Sequence, residues 1–285
     1  MYTLIAENSK GEQMELTNNP AYVVTQIDGL SPAEALVNTL PRAGLDGSDF
    51  NSAKVGERSI ILTIAINSPA CQNRNELYRF FQPAQKTRLY YFNDMNSVYI
   101  DGWCQTSPVD IFGQKQTVVI TLLCPDPHWH GVVPIQAVDD GVSALFEFPF
   151  AIDEDQPVEI SEVYPLATHA AVFWNDGTID SGVEIKLTAS GAVDDPQIYH
   201  VQSDKFFKLN TSLQNGDIVT ISTYDRNKSV IRLRSGVKRT LVASIDRAST
   251  WLKSNPGRND FIFSAYNGII NLSCMISTIS NRQGV

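Results

Sequence analysis

The chain has 285 residues, of which 43% are hydrophobic, and its formal net charge is −9 at pH 7. This length allows two domains of ordinary size, and the hydrophobic content suits packed cores rather than general disorder. Proteins that bind nucleic acid through its phosphates are usually basic, so we expect no nucleic-acid sequence readout.

The beginning of the chain, MYTLIAENSKGEQMEL, has neither the basic nor the apolar segment of a signal peptide. Apolar runs elsewhere are short and fall well below the roughly 20 residues that span a bilayer. We therefore expect no signal peptide and no membrane insertion, and a chain that is made in the cytoplasm.

The first sixty residues give weak signals. Residues 2–7 and 22–30 are rich in residues that favour strands. Residues 31–38, SPAEALVN, favour a turn of helix in which Ser31 is the cap. Residues 43–57 contain three Gly and several Asp, Asn and Ser, a composition that indicates a long mobile loop.

The next segment has the clearest strand patterns. Residues 58–66, 88–94, 97–103 and 116–124 are rich in Ile, Val, Thr and Tyr. The short polar stretch from Asp94 to Ser97 predicts a hairpin between the second and third of these strands.

One helix is predicted in this region, over residues 73–86. Apolar residues recur there at helical spacing, namely Leu77, Phe80, Phe81 and Ala84. Asn73 followed by Glu76 resembles a capping box, and Pro83 would end or kink the helix.

The second half of the chain is also rich in strand signals, and its turn residues are spaced as in a sandwich. The predicted strands are 145–150, 157–164, 170–174, 182–189, 197–201, 206–210, 217–223, 229–234, 240–245, 259–265 and 269–277. Only residues 246–254 suggest a helical turn. The pattern predicts one antiparallel sandwich or jelly roll.

The segment LLCPDPHWHG at 122–131 separates these halves. Cys124, His128 and His130 could supply three ligands to a metal ion, but no second ligand cluster accompanies them, as zinc sites usually require. Prolines 125 and 127 disfavour a regular strand here. We interpret the segment as a domain boundary, where His128 and Trp129 cover the junction, and expect neither a metal nor another cofactor.

Charge is unevenly distributed. Twelve acidic residues and no Lys or Arg lie between Lys115 and Lys186, and Asp153 and Asp155 belong to this run. Residues 226–258 hold nine basic residues and one acidic residue. Two such runs could pair between identical subunits, or they could simply be solvated strand faces. The basic interface candidates are Arg232, Arg234, Lys238 and Arg239.

The predicted hairpin at 88–103 carries aromatic side chains of the kind enriched at protein interfaces. The candidates are Tyr90, Tyr91, Phe92, Tyr99 and Trp103. The alternative is that these side chains alternate into the core.

Five segments in order resemble the N-terminal domain of distal tail proteins from long, non-contractile phage tails. They are RSIILTIAI, ELYRFFQP, RLYYF, VYIDGW and QTVVITLLCPDPHW. The second half, with GVEIKLTASGAV and FFKLNTSLQNGDIVTIST, is similar to the galectin-like sandwich that follows in that family. Arg58, which leads the first segment, is an additional interface candidate.

The resemblance implies a mainly β protein. Residues 1–130 would form an N-terminal, split-barrel-like ring domain with one helix, and residues 131–285 a galectin-like β-sandwich. It also implies a structural, non-enzymatic protein of the virion tail tip, assembled in the host cytoplasm as a hexameric ring. The implied partners are the tail tube protein, the tail-associated fibre or lysin protein and a receptor-binding protein.

A carbohydrate-binding module is the alternative function. Trp174 and Trp251 are the candidates for stacking on a sugar, with His169, Asn175 and His200 as polar partners. The His-x-Asn-x-Arg pattern of galectins is absent from the sequence, and so are the common catalytic motifs.

Overall fold

The computed structural model describes residues 2–111, 115–139, 142–144, 161–163 and 169–285. The chain divides into two compact units. The first comprises the residues up to Val133 together with Asn281–Val285, and the second comprises Pro134–Ser280. The sequence suggested a change of domain at 130/131 but not the return of the last five residues to the first unit.

Up to the point where the chain leaves the first unit, its described residues form eleven strands and one α-helix. They are β1 (Thr3–Asn8), β2 (Gln13–Glu15), β3 (Tyr22–Asp28), β4 (Ala35–Pro41), β5 (Ser48–Val55), β6 (Arg58–Ile66), α1 (Ala70–Phe80), β7 (Lys86–Phe92), β8 (Ser97–Thr106), β9 (Val109–Asp110), β10 (Thr117–Cys124) and β11 (Trp129–Gly131).

The described residues of the second unit form strands, together with single turns of 3₁₀-helix at Val201–Ser203, Val242–Ser244 and Ile269–Asn271. Its strands are β12 (Ile135–Asp139), β13 (Val142–Ala144), β14 (Ser161–Val163), β15 (His169–Asn175), β16 (Ser181–Ala189), β17 (Val193–Asp194), β18 (Gln197–His200), β19 (Lys205–Lys208), β20 (Ser212–Leu213), β21 (Ile218–Ser222), β22 (Ser229–Arg234), β23 (Val237–Thr240), β24 (Lys253–Ser254), β25 (Gly257–Ser264) and β26 (Leu272–Thr278). Strand β27 (Asn281–Arg282) then returns to the first unit.

The main sheet of the first unit has the strand order β2-β1-β7-β8-β10-β6-β3. Alternate residues of its strands are buried, as in β10, where Val118, Ile120 and Leu122 point inward. They pack with Leu77, Phe80 and Phe81 of the helical segment in one core. The structure confirms the strands expected at 58–66, 97–103 and 116–124. Their alternating apolar pattern predicted them correctly, because one face of this sheet is buried.

The helix begins three residues earlier than expected. Pro69 is its N-cap, and Asn73 lies inside the helix with its side-chain Nδ2 donating to the carbonyl of Asn67. The cap predicted at Asn73 is therefore wrong. The helix ends at Phe80, before Pro83, as the missing amide hydrogen of proline requires.

Residues 31–57 differ most from expectation. The helical turn predicted at 31–38 and the mobile loop predicted at 43–57 are both wrong, since β4 and β5 pair as an antiparallel hairpin. This hairpin forms a two-stranded sheet of its own. Its strand residues lack the alternation of a buried strand, because all of them are exposed.

The segment after Cys124 is also different from the prediction. Trp129–Gly131 forms a regular strand that pairs with β8 on one side and β27 on the other. The Trp129 side chain is fully buried in the core of the first unit, so it does not cover a domain boundary. The strand follows the second proline rather than containing it, which removes the conflict with proline chemistry.

The second unit is an antiparallel sandwich, as expected. One sheet has the order β12-β26-β16-β21-β22-β23, and the other has the order β15-β25-β18-β19. Inward side chains from both sheets, such as Ile185, Ile276, Phe173 and Phe261, share one core. Strand β23 lies at 237–240 rather than 240–245, and residues 246–254 form no helix.

Arg58 is buried in the first unit, with 3% of its surface exposed. Its Nε donates to the carbonyl of Pro127 at 2.7 Å, and its terminal nitrogens donate to the carbonyls of Gly29, Ser31 and Gln283. Every bond is inside the unit, so the structure gives Arg58 an internal role in place of the predicted interface role. It joins the start of β6 to the C-terminal segment.

Replacing Arg58 with Ala should destabilise the first unit by roughly 3 kcal/mol, because charge-assisted bonds are lost and buried carbonyls are left without donors. Hydrogen exchange of the β6 and β10 amides should report the loss, with the second unit unchanged. Arg79→Ala, on the exposed side of the helix, is the matched control and should cost less than about 0.5 kcal/mol. Equal hydrogen-exchange protection of these amides in the two variants would contradict the internal role of Arg58.

Candidate interface surfaces

The outer face of the β7–β8 hairpin brings together most of the predicted aromatic residues. Tyr90 lies opposite Tyr99, and Phe92 follows Tyr90 on the same face. The rings of Tyr90 and Phe92 stack at 6.2 Å between centroids. Trp103, at the end of β8, shares this face and is 42% exposed. We call these four side chains the aromatic face.

Tyr91 is the exception among these residues. Side chains alternate along a strand, so Tyr91 points away from the aromatic face. It packs against the core, and its ring lies 6.2 Å from that of Trp129. The structure therefore supports the core alternative for Tyr91.

Charged groups fix the aromatic face. Arg88 binds the Asp101 carboxylate through Nε at 2.7 Å and Nη2 at 3.0 Å, and its guanidinium lies 4.1 Å from the centre of the Tyr99 ring. Burial raises the pKa of Asp101, but hydrogen bonds from Arg88 and Lys86 outweigh it and lower that pKa overall. The Tyr90 hydroxyl donates to Glu7 at 3.0 Å. Tyr90, Phe92 and Tyr99 are thus held in place before any partner binds.

The LLCPDPHWHG segment forms a hydrogen-bonded cluster. Asp126 Oδ1 lies 2.9 Å from His128 Nδ1, and Asp126 Oδ2 lies 3.6 Å from His130 Nε2. His130 Nδ1 also lies 2.8 Å from Asn281 Oδ1, which joins β11 to β27. Within the part of the chain that the structure describes, no group of three His, Cys, Asp or Glu side chains could hold a metal ion.

Cys124 is separate from this cluster. Its side chain is buried in the core, where burial raises the pKa of the thiol to about 12. A thiol in this state is neither a reactive nucleophile nor a ready metal ligand. The cluster is therefore a structural contact between β11 and the C-terminal strand.

The β4–β5 hairpin presents an apolar surface that sequence reasoning missed. Register partners share a face, so one side of the hairpin carries, besides Thr39, Pro41 and Ser48, five apolar side chains. They are Ala35, Val37, Phe50, Ala53 and Val55. Val37 is 55% and Phe50 69% exposed. We call this side the apolar hairpin face; the other side interleaves Leu36 and Leu40 with polar residues.

The basic candidates of the second unit have separate surroundings. Arg234 binds the fully buried Asp217 through Nε at 2.6 Å, so its charge is already neutralised within the unit. Arg232 is half-buried opposite Arg239, and Lys238 and Arg239 are exposed on the edge strand β23. Asp153 and Asp155, their suggested acidic counterparts, lie outside the described residues.

The two sugar-stacking candidates also differ. Trp174 is 67% exposed on the edge strand β15. Trp251 is partly buried against the core, with its ring 5.3 Å from that of Phe207. Of these two residues, Trp174 is the one with an exposed aromatic surface.

The polar partners suggested for a sugar are all buried. His169 and Asn175 lie on the inward side of β15. His200 Nε2 lies 3.1 Å from Asn259 Oδ1, and Asn175 Nδ2 donates to Ser254 Oγ at 3.1 Å. These residues hold the sandwich together, so they are not available as polar partners of a sugar that stacks on Trp174.

Comparison with known families identifies the class of protein. Residues 9–124 match the phage tail protein RIFT-related domain, and residues 176–272 match the C-terminal domain of the siphovirus-type tail component. Each match lies within one unit of the fold, and together they make the chain a phage tail component. The two matches together span most of the sequence, and the chain belongs to the distal tail protein family of siphophages. No curated protein sequence matches it.

Solved structures share the fold. The distal tail protein of phage SPP1, described as a hub of the adsorption apparatus in phages that infect Gram-positive bacteria, aligns with a TM-score of 0.69 over 99% of both chains at 13% identity. A chain of the phage P2 baseplate in its activated conformation aligns with a TM-score of 0.52 over 100% of both chains at 10% identity. No helix among the described residues is long and apolar enough to cross a membrane.

The contact between His130 and Asp126 should make the stability of the first unit depend on pH. Burial lowers the pKa of His130, but bonds to Asp126 and Asn281 raise it overall, and the pKa of Asp126 is lowered. Protonated His130 stabilises the first unit fully below about pH 6.5, and this stabilisation is lost as the pH rises through the raised pKa of His130. Ionised Asp126 contributes its stabilisation above about pH 4 and loses it at lower pH. The stabilising effect is therefore greatest between these limits.

Urea denaturation of the native chain and of His130→Gln at about pH 5.5 and about pH 8.5 tests this effect. The native chain should have a higher free energy of unfolding than the variant at the lower pH. This difference should shrink by up to about 1 kcal/mol at the higher pH, a modest amount because the pair is partly exposed. Asp126→Asn should show the same loss of pH dependence. An advantage that stays constant with pH would count against the contact.

Proposed function

We propose that six copies of this chain form a closed ring at the tip of the phage tail. The observation that carries the proposal is the apolar hairpin face. A two-stranded hairpin has little stability alone in water, and a row of exposed apolar side chains on it marks a surface that a partner covers. A neighbouring copy is the partner that the proposed ring supplies.

A ring needs two different surfaces that match. Head-to-tail contacts between identical subunits use distinct patches and close when the rotation allows. The apolar hairpin face is one such patch, and the aromatic face of the next copy is the second that we propose. Aromatic anchors with fixed orientations are typical of the energetic centres of interfaces.

The charged residues have a secondary role in this proposal. Lys238 and Arg239 are exposed on an edge strand and available to an acidic partner surface. Such charges set orientation and association rate more than affinity. The acidic run that contains Asp153 and Asp155 is their proposed counterpart in an adjacent copy.

The ring would join the tail tube protein to the tail-associated fibre or lysin protein and seat a receptor-binding protein. Support comes from the hub and baseplate roles stated for the proteins of phages SPP1 and P2. This role is structural, so we propose no catalytic step.

A double variant tests the proposed contact. Val37→Ser with Phe50→Ser should remove most of the apolar surface of the hairpin face and convert rings to monomers in sedimentation velocity. Leu40→Ser changes a side chain of similar exposure on the opposite face and should leave the rings intact. Circular dichroism would verify that each variant folds.

Two outcomes would count against this assignment. Rings that persist in the double variant would show that the hairpin face is not the contact. A native chain that remains monomeric at its highest attainable concentration would overturn a ring that forms without tail partners.

A further inference from the structure

An exposed indole lies on the solvent-facing side of the smaller sheet of the second unit. Trp174 is the least covered Trp among the described residues, and Val172 precedes it on the same face. A large aromatic side chain on a strand is usually buried or bound to a partner. The fold itself does not use this side chain, because the inward residues of β15 supply the packing.

Polar side chains beside Trp174 are held in fixed positions. Arg258 lies opposite Trp174, and Asp260 lies opposite Val172, on the neighbouring strand β25. The Asp260 carboxylate accepts Arg258 Nε at 3.0 Å and Gln202 Nε2 at 2.6 Å. The backbone amide of Asp260 donates to Gln202 Oε1 at 2.8 Å, which closes the network.

This network leaves specific donors beside the indole. The carboxylate occupies Nε of Arg258, and the two terminal nitrogens of that guanidinium have no partner among the described residues. Asp260 also balances the positive charge. The result is a flat apolar surface next to oriented, charge-neutral hydrogen-bonding groups.

We propose that Trp174, Arg258 and Asp260 form a binding site for a pyranose ring of a surface saccharide. One face of a pyranose presents C–H groups that stack on an indole, while its hydroxyls accept from guanidinium donors and donate to a carboxylate. The proposal is independent of the ring and uses none of the buried residues His169, Asn175 or His200.

The size and charge of the site favour a saccharide over other ligands. A stable protein interface covers about 800 Å² on each partner, with aromatic anchors surrounded by further apolar contacts. On the strands of this face, Val172 and Trp174 are the only exposed large apolar side chains within the described residues. The ion pair between Arg258 and Asp260 also disfavours a site selective for free anions.

The test uses the full chain on an array of immobilised oligosaccharides built from glucose, galactose, N-acetylglucosamine and rhamnose. Bound sugars are then titrated in solution, as monovalent ligands, against the intrinsic fluorescence. We expect a dissociation constant in the millimolar range or tighter, about tenfold weaker binding in Trp174→Ala, and partial recovery in Trp174→Phe. Asp260→Asn should also weaken binding, because Arg258 loses its charged partner.

Tyr266→Ala is the matched control, since it removes an exposed aromatic ring from the same unit at a different place. Binding should be unchanged in it. The proposal is overturned if no saccharide of the array binds, or if Trp174→Ala binds as well as the native chain. Because monovalent binding does not depend on the oligomer, neither result depends on whether the ring forms.

Discussion

The first unit depends on one buried cation. Arg58 stands at the start of β6 and donates to carbonyls from three distant parts of the chain, including the C-terminal segment at Gln283. A guanidinium buried in this way is stable only when its donors are satisfied. Within the first unit, these bonds join the segment at Pro127 to the C-terminal segment at Gln283, which follows the second unit in the chain.

The scaffold fixed in this way presents two kinds of surface. The aromatic face is rigid, because ion pairs and ring contacts hold its side chains within a large sheet. The apolar hairpin face stands on a separate two-stranded sheet, whose strand residues are all exposed. The proposed head-to-tail assembly needs two different surfaces on one chain, and these two faces are the ones that we propose for it.

Sequence patterns predicted the strands that have one face in the core and the other towards solvent. Residues 58–66 and 117–124 alternate between core and surface, and that alternation is visible in the residue types. The hairpin at 35–55 was not predicted because both of its faces are exposed, so the Gly, Asp and Ser in its sequence resemble those of a loop. Its strands are set by pairing between neighbours, which composition does not report.

Site residues were harder to place than strands. The aromatic residues of β7 and β8 were found because a hairpin fixes which of them share a face, and only Tyr91 turned inward. Arg58 and His200 are polar residues whose partners are distant in sequence, so nothing local distinguishes a buried polar residue from a surface one. The sequence identified Trp174 as a stacking candidate but missed Arg258 and Asp260, which pairing between strands brings beside it.

Electron microscopy of the purified native chain, with the number of copies in each particle counted from class averages, tests the proposed ring most directly. We expect closed rings of six copies, with density for the β4–β5 hairpin against the aromatic face of the adjacent copy. Particles of a single copy, or closed assemblies in which the hairpin projects into solvent, would contradict this proposal.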